Sequence, residues 1–152
     1  KEVEYHLGKI RYDDKILHRS KVIKYFTENT DKKRTQKDFD KIYKKIKKNR
    51  KYFYSAKDLA LIESFESDGF KIPNDLNIKK LIDEYEVPLN LLQLAKNRES
   101  AFLTLKIVEI IGEDEPYQLD PETIYFITHL LNKINLKKLR NDVLISALPQ
   151  RS

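Results

Sequence analysis

Cysteine is absent from this 152-residue chain, and so are methionine and tryptophan. Without cysteine, the chain has no disulfide, no thiolate nucleophile and no thiolate metal site. Only three residues are glycine, which is too few for a phosphate-cradling glycine loop and argues against an all-β fold. No apolar run approaches the 18 residues that a membrane-spanning helix needs, and no signal peptide is visible.

The chain begins at Lys1 and contains no methionine, so we expect a processed chain or an excerpt of a longer protein. Its length suits one domain. We predict an extended lead-in plus a short helix over residues 1–34, followed by a single all-α domain over residues 35–152. The compartment of the parent protein is not readable from this sequence.

Charge is distributed unevenly along the chain. The net charge is +6, but residues 1–60 carry 19 basic and 9 acidic side chains, whereas residues 61–152 carry 11 and 15. The balance is therefore +10 in the first part and −4 in the second. Such asymmetry favours an anionic partner for the basic part. The alternative is that the basic part packs against the acidic part of its own chain.

Apolar spacing predicts helices almost throughout. The exception is the segment Lys1–Tyr12, whose alternating apolar residues fit a short hairpin or an extended strand. Helix-start patterns occur at Thr35–Asp38, at Ser55–Asp58 and at Asp120–Pro121. Glycines 69 and 112 and the prolines supply stops. About eight helices with short connections predict an all-α array of antiparallel helical hairpins.

Three consecutive apolar segments, Ala101–Ile111, Asp120–Ile134 and Leu136–Leu148, have the spacing of paired amphipathic helices. Through this hydrophobic spacing, over about a third of the chain, the sequence resembles helical-repeat proteins of the tetratricopeptide-like α-solenoid type. The resemblance implies an irregular solenoid architecture and a scaffold or protein-interaction role. It implies no particular site residue.

The densest basic segment is Lys32–Lys51, with eleven basic and two acidic side chains. Phe39, Ile42, Tyr43 and Ile46 follow the i, i+3, i+4, i+7 spacing of one helix face. At about 100° per residue, six lysines project from the opposite side. We predict a basic helix over residues 36–51 whose candidate anionic-partner surface is Lys37, Lys41, Lys44, Lys45, Lys48 and Lys51, with Tyr52.

Aromatic residues follow this helix directly, and basic residues interleaved with aromatic rings can bind single-stranded nucleic acid by stacking. We expect Tyr43 and Phe53 to belong to the core and Tyr52 to be the stacking candidate. A helix-turn-helix over Lys79–Arg98 is a weaker possibility. Its second helix, Pro88–Asn97, carries four leucines, and we expect it to be buried rather than placed in a DNA groove.

Residues suited to catalysis or metal binding are scattered. His6, His18 and His129 are far apart, and none has a metal-ligand partner at suitable spacing. We expect His18 to be exposed among its basic neighbours and His129 to lie at a helix surface or interface. The acidic run at Glu113 lacks the pattern of a calcium loop. The sequence therefore predicts no catalytic residue, no metal and no cofactor.

The leading functional prediction is a non-enzymatic scaffold or protein-interaction module of helical-repeat type. Its partner is expected to be a protein, with an acidic surface or nucleic acid as the possible ligand of the basic helix. One alternative is non-specific nucleic-acid binding through the basic helix 36–51. A second alternative is a non-catalytic part of a larger enzyme.

Overall fold

The computed structural model describes residues 16–28, 30–112 and 118–148. Within those ranges every regular element is a helix, and no strand occurs. The predicted all-α class is therefore confirmed. The hairpin or extended segment predicted for residues 1–12 lies outside the described residues.

A 3-10 turn, Lys21–Ile23, leads into eight α-helices in the described part of the chain. In chain order they are α1 (Lys24–Glu28), α2 (Lys32–Lys48), α3 (Ala56–Ser67), α4 (Ile78–Ile82), α5 (Leu89–Lys96), α6 (Ser100–Ile111), α7 (Pro121–Lys133) and α8 (Lys137–Ala147).

Local capping explains where several helices begin. At α3, Ser55 Oγ accepts from the Asp58 amide at 3.2 Å, and Asp58 Oδ2 accepts from the Ser55 amide at 3.1 Å. This reciprocal capping box satisfies two amides that would otherwise lack partners. At α7, Asp120 accepts from the Thr123 amide at 2.7 Å, and Pro121 occupies the first turn. Both predicted starts are confirmed.

The basic helix α2 begins earlier than predicted. Its N-cap is Asp31, whose side chain accepts from the Arg34 amide at 3.3 Å. Thr35, the expected start, is buried in the first turn, and its hydroxyl donates to the Asp31 carbonyl at 3.0 Å. Aspartate and threonine are both favoured N-caps, so the pattern alone could not choose between them. The predicted division between residues 34 and 35 falls inside α2.

Two hydrophobic clusters lie on either side of the α7–α8 hairpin. The first gathers α1, α2 and α3 and receives Tyr125 from α7 and Leu144 from α8. The second gathers α5 and α6 against the other side of the hairpin, where Ile127 and Val143 are buried. Helix α3 makes its most extensive contact with α7, although three helices separate them in the sequence. The hairpin is therefore shared by both cores.

Repeat arrays are held together mainly by contacts between neighbouring repeats. The α5–α6 and α7–α8 contacts fit that pattern. The α3–α7 and α1–α8 contacts instead join helices that are distant along the chain. The all-α class is thus established, while the solenoid-like arrangement stays a prediction.

A buried ionic cluster joins three helices of the first core, and we call it the Asp68 cluster. The Arg140 guanidinium donates twice to the Asp68 carboxylate, at 2.7 and 2.8 Å, and the Tyr25 hydroxyl donates at 2.7 Å. Burial alone would raise the pKa of Asp68, but the hydrogen bonds from Arg140 and Tyr25 outweigh it and lower that pKa. The cluster ties the end of α3 to α8 and α1.

The helix α5 is only partly buried. Leu91 and Ala95 lie in the second core, whereas Asn90, Gln93 and Lys96 are exposed. The expectation that this whole segment is buried is therefore wrong. The reason is that a short helix at the edge of a core needs to cover only one of its faces.

Candidate anionic-partner surface

The apolar stripe of α2 fixes which side of the helix meets the core. Phe39, Ile42 and Ile46 are buried in the first cluster, and Tyr43 is half-buried beside them. Phe39 also packs against Phe65 of α3, with ring centroids 5.5 Å apart. The predicted inward face is therefore confirmed.

One flank of α2 is tied to the segment that follows α3. Lys32 Nζ donates to the Asp68 carbonyl at 2.7 Å, and the Gln36 side chain both accepts from and donates to the Lys71 backbone, at 2.9 and 3.1 Å. Further along, Lys47 forms an ion pair with Asp75, which also accepts from Tyr43 at 2.8 Å. Hydrogen bonds from Lys47 and Tyr43 lower the pKa of Asp75. These contacts place this flank of α2 against residues 68–75.

The lysine face consists of the six predicted lysines, and all six are exposed: Lys37, Lys41, Lys44, Lys45, Lys48 and Lys51. Within the described ranges, none of the six ammonium groups forms an ion pair or a hydrogen bond. Five of them lie on α2. Lys51 lies beyond the helix, in a turn where its amide donates to Asn49 Oδ1 at 3.1 Å.

A cleft of about 310 Å³ opens where α2 ends, and we call it the basic cleft. Its lining residues are Ile16, Arg19, Lys45, Ile46, Asn49, Lys51, Tyr52 and Phe53. Among the described lining residues, three are cations and none is acidic. Two members of the lysine face, Lys45 and Lys51, therefore share a concave site with Arg19, which comes from the turn before the 3-10 helix.

The two aromatic residues of the basic cleft differ from expectation. Tyr52 is half-buried: its hydroxyl donates to Asp58 at 3.0 Å, and its ring packs edge-on to Tyr54. Burial and the nearby Asp58 carboxylate raise the pKa of Tyr52. Phe53, predicted to be core, is 52% exposed, so that prediction is wrong. The helical projection failed here because the helix ends at Lys48.

Two residues of this site, Arg19 and Phe53, were not predicted as site residues. Arg19 lies far from α2 along the chain, and only the packing of the segment before α1 brings it to the cleft. Phe53 could have been found by noticing that Asn49 favours a turn, because residues after a turn no longer follow a 3.6-residue period.

The described histidines both contact carboxylates. His18 is buried, with Nε2 2.7 Å from Asp58 Oδ1, so the prediction that it is exposed is wrong. Its basic sequence neighbours gave no sign of the carboxylate supplied by α3. His129 Nδ1 lies 2.7 Å from Glu63 Oε1, and Tyr125 donates to the same carboxylate at 3.3 Å. His129 thus occupies the helix interface that was one of its two predicted places.

No group of three or more metal-ligating side chains occurs among the described residues. In those ranges, no helix is both long and apolar enough to cross a bilayer. Comparisons with protein-family models, with curated proteins and with solved structures find no match for this chain. The site must therefore be interpreted from its own chemistry.

Proposed function

We propose that this chain is a non-enzymatic interaction module of helical-repeat type, and that the lysine face holds an acidic partner. One observation carries the proposal. Lys32, Gln36 and Lys47, on one flank of α2, are bonded to the body of the protein, whereas the six lysines of the other side are exposed and unpaired among the described residues.

Packing against the acidic part of the same chain does not account for the lysine face. If the basic part served to pack against the acidic part of its own chain, these lysines would meet carboxylates. Instead, Lys37, Lys41 and Lys45 are spaced at i, i+4 along one helix, as are Lys44 and Lys48. Like charges at this spacing destabilise a helix by roughly 0.2–0.5 kcal/mol per pair. These repulsions lower the stability of the helix, and no described contact of the lysine side chains compensates for them. This favours a role of the lysines in binding.

Rigidity also supports this role. The core stripe and the contacts with residues 68–75 hold α2 against the body of the protein. A partner therefore meets charges whose backbone is already ordered, and the conformational entropy lost by the protein on binding is mainly that of the lysine side chains. The row from Lys37 to Lys48 extends about 16 Å along the helix axis.

The non-enzymatic part of the proposal is supported by the chemistry of the described histidines. The side chains of His18 and Asp58 are fully buried against each other, and His129 of α7 contacts the Glu63 carboxylate of α3. Ser55, which hydrogen-bonds to Asp58, uses its Oγ to accept from the Asp58 amide in the capping box of α3. Both pairs link separate elements of the fold.

The proposal is tested by comparing two charge-matched variants. The first replaces Lys41, Lys44, Lys45 and Lys48 by glutamine. The control replaces four exposed lysines outside this surface, Lys79, Lys80, Lys133 and Lys138, by glutamine. Binding of fluorescent polyglutamate and of a labelled oligothymidylate is measured at about 50 mM salt.

We expect the wild-type chain and the control to bind at least one of these polyanions, and the first variant to bind at least about tenfold more weakly. Circular dichroism melting checks that both variants fold. Equal losses in the two variants, or no binding of either polyanion by the wild-type chain, would contradict the proposal.

A further inference from the structure

Helix α6 exposes large apolar side chains on one side. Phe102, Leu105 and Val108 are 57%, 63% and 55% exposed, whereas Leu103 and Ile107 of the same helix are fully buried in the second core. Residues three apart on a helix are neighbours, so the three exposed side chains form one continuous patch. Isolated exposed apolar residues are common, but a continuous apolar patch marks a surface on which another protein packs.

The composition of α6 is that of an internal helix. Among its twelve residues, Ser100–Ile111, Lys106 and Glu109 alone are charged. A helix that is apolar on every side is normally covered on every side. In the described part of the chain, α6 packs against α5 and the second core, and its other side is exposed. The end of a helical array is normally closed by a polar outer face, so this exposed side has the composition of a contact surface.

The exposed side of α6 has a spacing that is the same in both directions. Ala101, Leu105, Val108 and Gly112 are exposed and are separated by four, three and four residues. This is the alternation of the core positions along a coiled coil. The order of side-chain size, which is small, large, large and small, is also unchanged by reversal. A second, antiparallel copy of α6 therefore places Leu105 opposite Val108 at the centre of the contact and the small residues opposite each other at its ends.

The charges of α6 are self-complementary in the same way. Lys106 Nζ lies 3.5 Å from Glu109 Oε2 and 6.0 Å from the centroid of the Phe102 ring, so the three side chains share one flank of the exposed side. Both charged side chains are accessible, and a pair of this kind contributes little within one copy. In a two-fold pair the same flanks meet, so Lys106 of each copy approaches Glu109 of the other. These two flanks carry no net charge and attract each other.

We infer that α6 is a self-association face through which two copies of this chain form an antiparallel two-fold dimer. A two-fold interface brings the same patch of both copies into contact, so the patch must match itself. The spacing, the side-chain sizes and the charges of α6 all meet this requirement. The helix is about 18 Å long, so the contact is smaller than the standard interface of about 800 Å² per partner, and we expect a weak dimer. The inference goes beyond the proposed function, because the lysine face lies on α2 and the turn after it, in the first core.

The charges provide the sharpest test, because they distinguish contact between copies from contact within one copy. Lys106→Glu makes the flank acidic, and Glu109→Lys makes it basic. Sedimentation equilibrium is measured for the wild-type chain, for each variant and for their equimolar mixture, from about 10 μM to about 1 mM protein at about 150 mM salt. Lys80→Glu and Glu84→Lys, alone and mixed, are the charge-matched controls, since both residues are exposed in or beside α4.

We expect the wild-type chain and the control variants to dimerise in this range, and Lys106→Glu and Glu109→Lys each to associate at least about fivefold more weakly. Their mixture should regain the wild-type affinity, because an acidic flank then meets a basic one. Leu105→Ser should also prevent association, since it removes the apolar centre of the contact. Circular dichroism melting checks that each variant folds.

The inference is overturned if the wild-type chain stays monomeric up to about 1 mM, which is also the result expected if the face binds a different protein. It is equally overturned if the mixture associates no more tightly than its two components, or if Leu105→Ser dimerises like the wild-type chain. The variant with glutamine at four lysines of α2 should dimerise normally, so loss of the dimer and loss of polyanion binding are separate results. A dimer that disappears in that variant would involve the lysine face and would also overturn the inference.

Discussion

The Asp68 cluster and the lysine face are two concentrations of charge with opposite surroundings. Arg140 is buried, donates hydrogen bonds to the Asp68 carboxylate, Asn132 and Asn141, and lies over the Phe26 ring. The lysine face carries more positive charge, yet it is exposed and unpaired within the described ranges. Both features lie on elements that pack in the first core.

The contrast shows that the burial and pairing of a charged side chain indicate whether it serves the fold. A buried ion must be paired, since an unpaired buried charge costs several kcal/mol, so the Asp68 cluster is best explained as part of the fold. An exposed lysine contributes little to stability whether or not it is paired. We propose binding as the role of the six exposed lysines of the lysine face. Stability and affinity should therefore respond to different substitutions.

The largest expected effect is the loss of stability on Asp68→Asn. Removing this carboxylate leaves the Arg140 guanidinium buried without its counter-charge, which should lower the free energy of unfolding by about 3–5 kcal/mol. Urea denaturation measures this loss. Combining Asp68→Asn with Arg140→Met removes the stranded charge and should recover much of it. A loss below about 1 kcal/mol would mean that the cluster is not structural.

The stability contributed by the Asp68 cluster should also depend on pH. The pKa of Asp68 is lowered in the folded protein, so the unfolded chain binds protons at higher pH than the folded one. The stability that Asp68 contributes is therefore present above its unfolded pKa of about 3.9 and is lost as pH falls through its lowered folded pKa. Urea denaturation at a series of pH values measures this slope.

The comparison for the acid experiment is Asp75→Asn, which removes a carboxylate whose pKa is also lowered but which is exposed and pairs with Lys47. Solvent screening should make the contribution of Asp75 to the slope smaller than that of buried Asp68. The Asp75→Asn variant should keep most of the wild-type slope, whereas the Asp68→Asn variant should show a shallower one. Equal slopes in the two variants would assign the acid sensitivity to other groups.

An intermediate effect is expected from Ser55→Ala at the start of α3. The substitution removes the oxygen that accepts from the Asp58 amide and should cost about 1 kcal/mol. Thermal melting followed by circular dichroism measures it, with Ser55→Thr as the variant that keeps a capping hydroxyl. Polyanion affinity should not change, because Ser55 lies outside the lysine face. A stability loss as large in Ser55→Thr as in Ser55→Ala would assign the effect to packing.

The smallest expected effect has the opposite sign. Lys41→Gln removes the repulsion between Lys41 and its like-charged neighbours Lys37, Lys44 and Lys45. The substitution should therefore stabilise the protein by roughly a few tenths of a kcal/mol at low salt. The gain should shrink as salt screens the repulsion. Urea denaturation at two salt concentrations tests this, and destabilisation by Lys41→Gln would show that this lysine supports the fold.

Local signals predicted much of this fold. The capping box at Ser55, the Asp120–Pro121 start and the apolar stripe of α2 each depend on residues within one or two helical turns. The five candidate lysines on α2 are exposed, as their helical spacing predicts, whereas Lys51 is exposed in a turn beyond the helix. Such features need no knowledge of the tertiary arrangement.

The errors arose where distant residues decide the outcome. The burial of His18 depends on Asp58 of α3, and the cationic cleft depends on Arg19 reaching the end of α2. The exposure of Phe53 depends on where α2 stops. A single sequence carries no local pattern for the first two, because the chain must fold before those residues meet.

The dependence of affinity on salt tests the lysine face most directly. Each phosphate neutralised on a single strand contributes about −0.7 to the slope of log affinity against log salt. For oligothymidylate, we predict that replacing Lys41, Lys44, Lys45 and Lys48 by glutamine makes the slope shallower by about 2 to 3, while the four-lysine control keeps the wild-type slope. An unchanged slope in the first variant would contradict the assignment of this surface as the binding site.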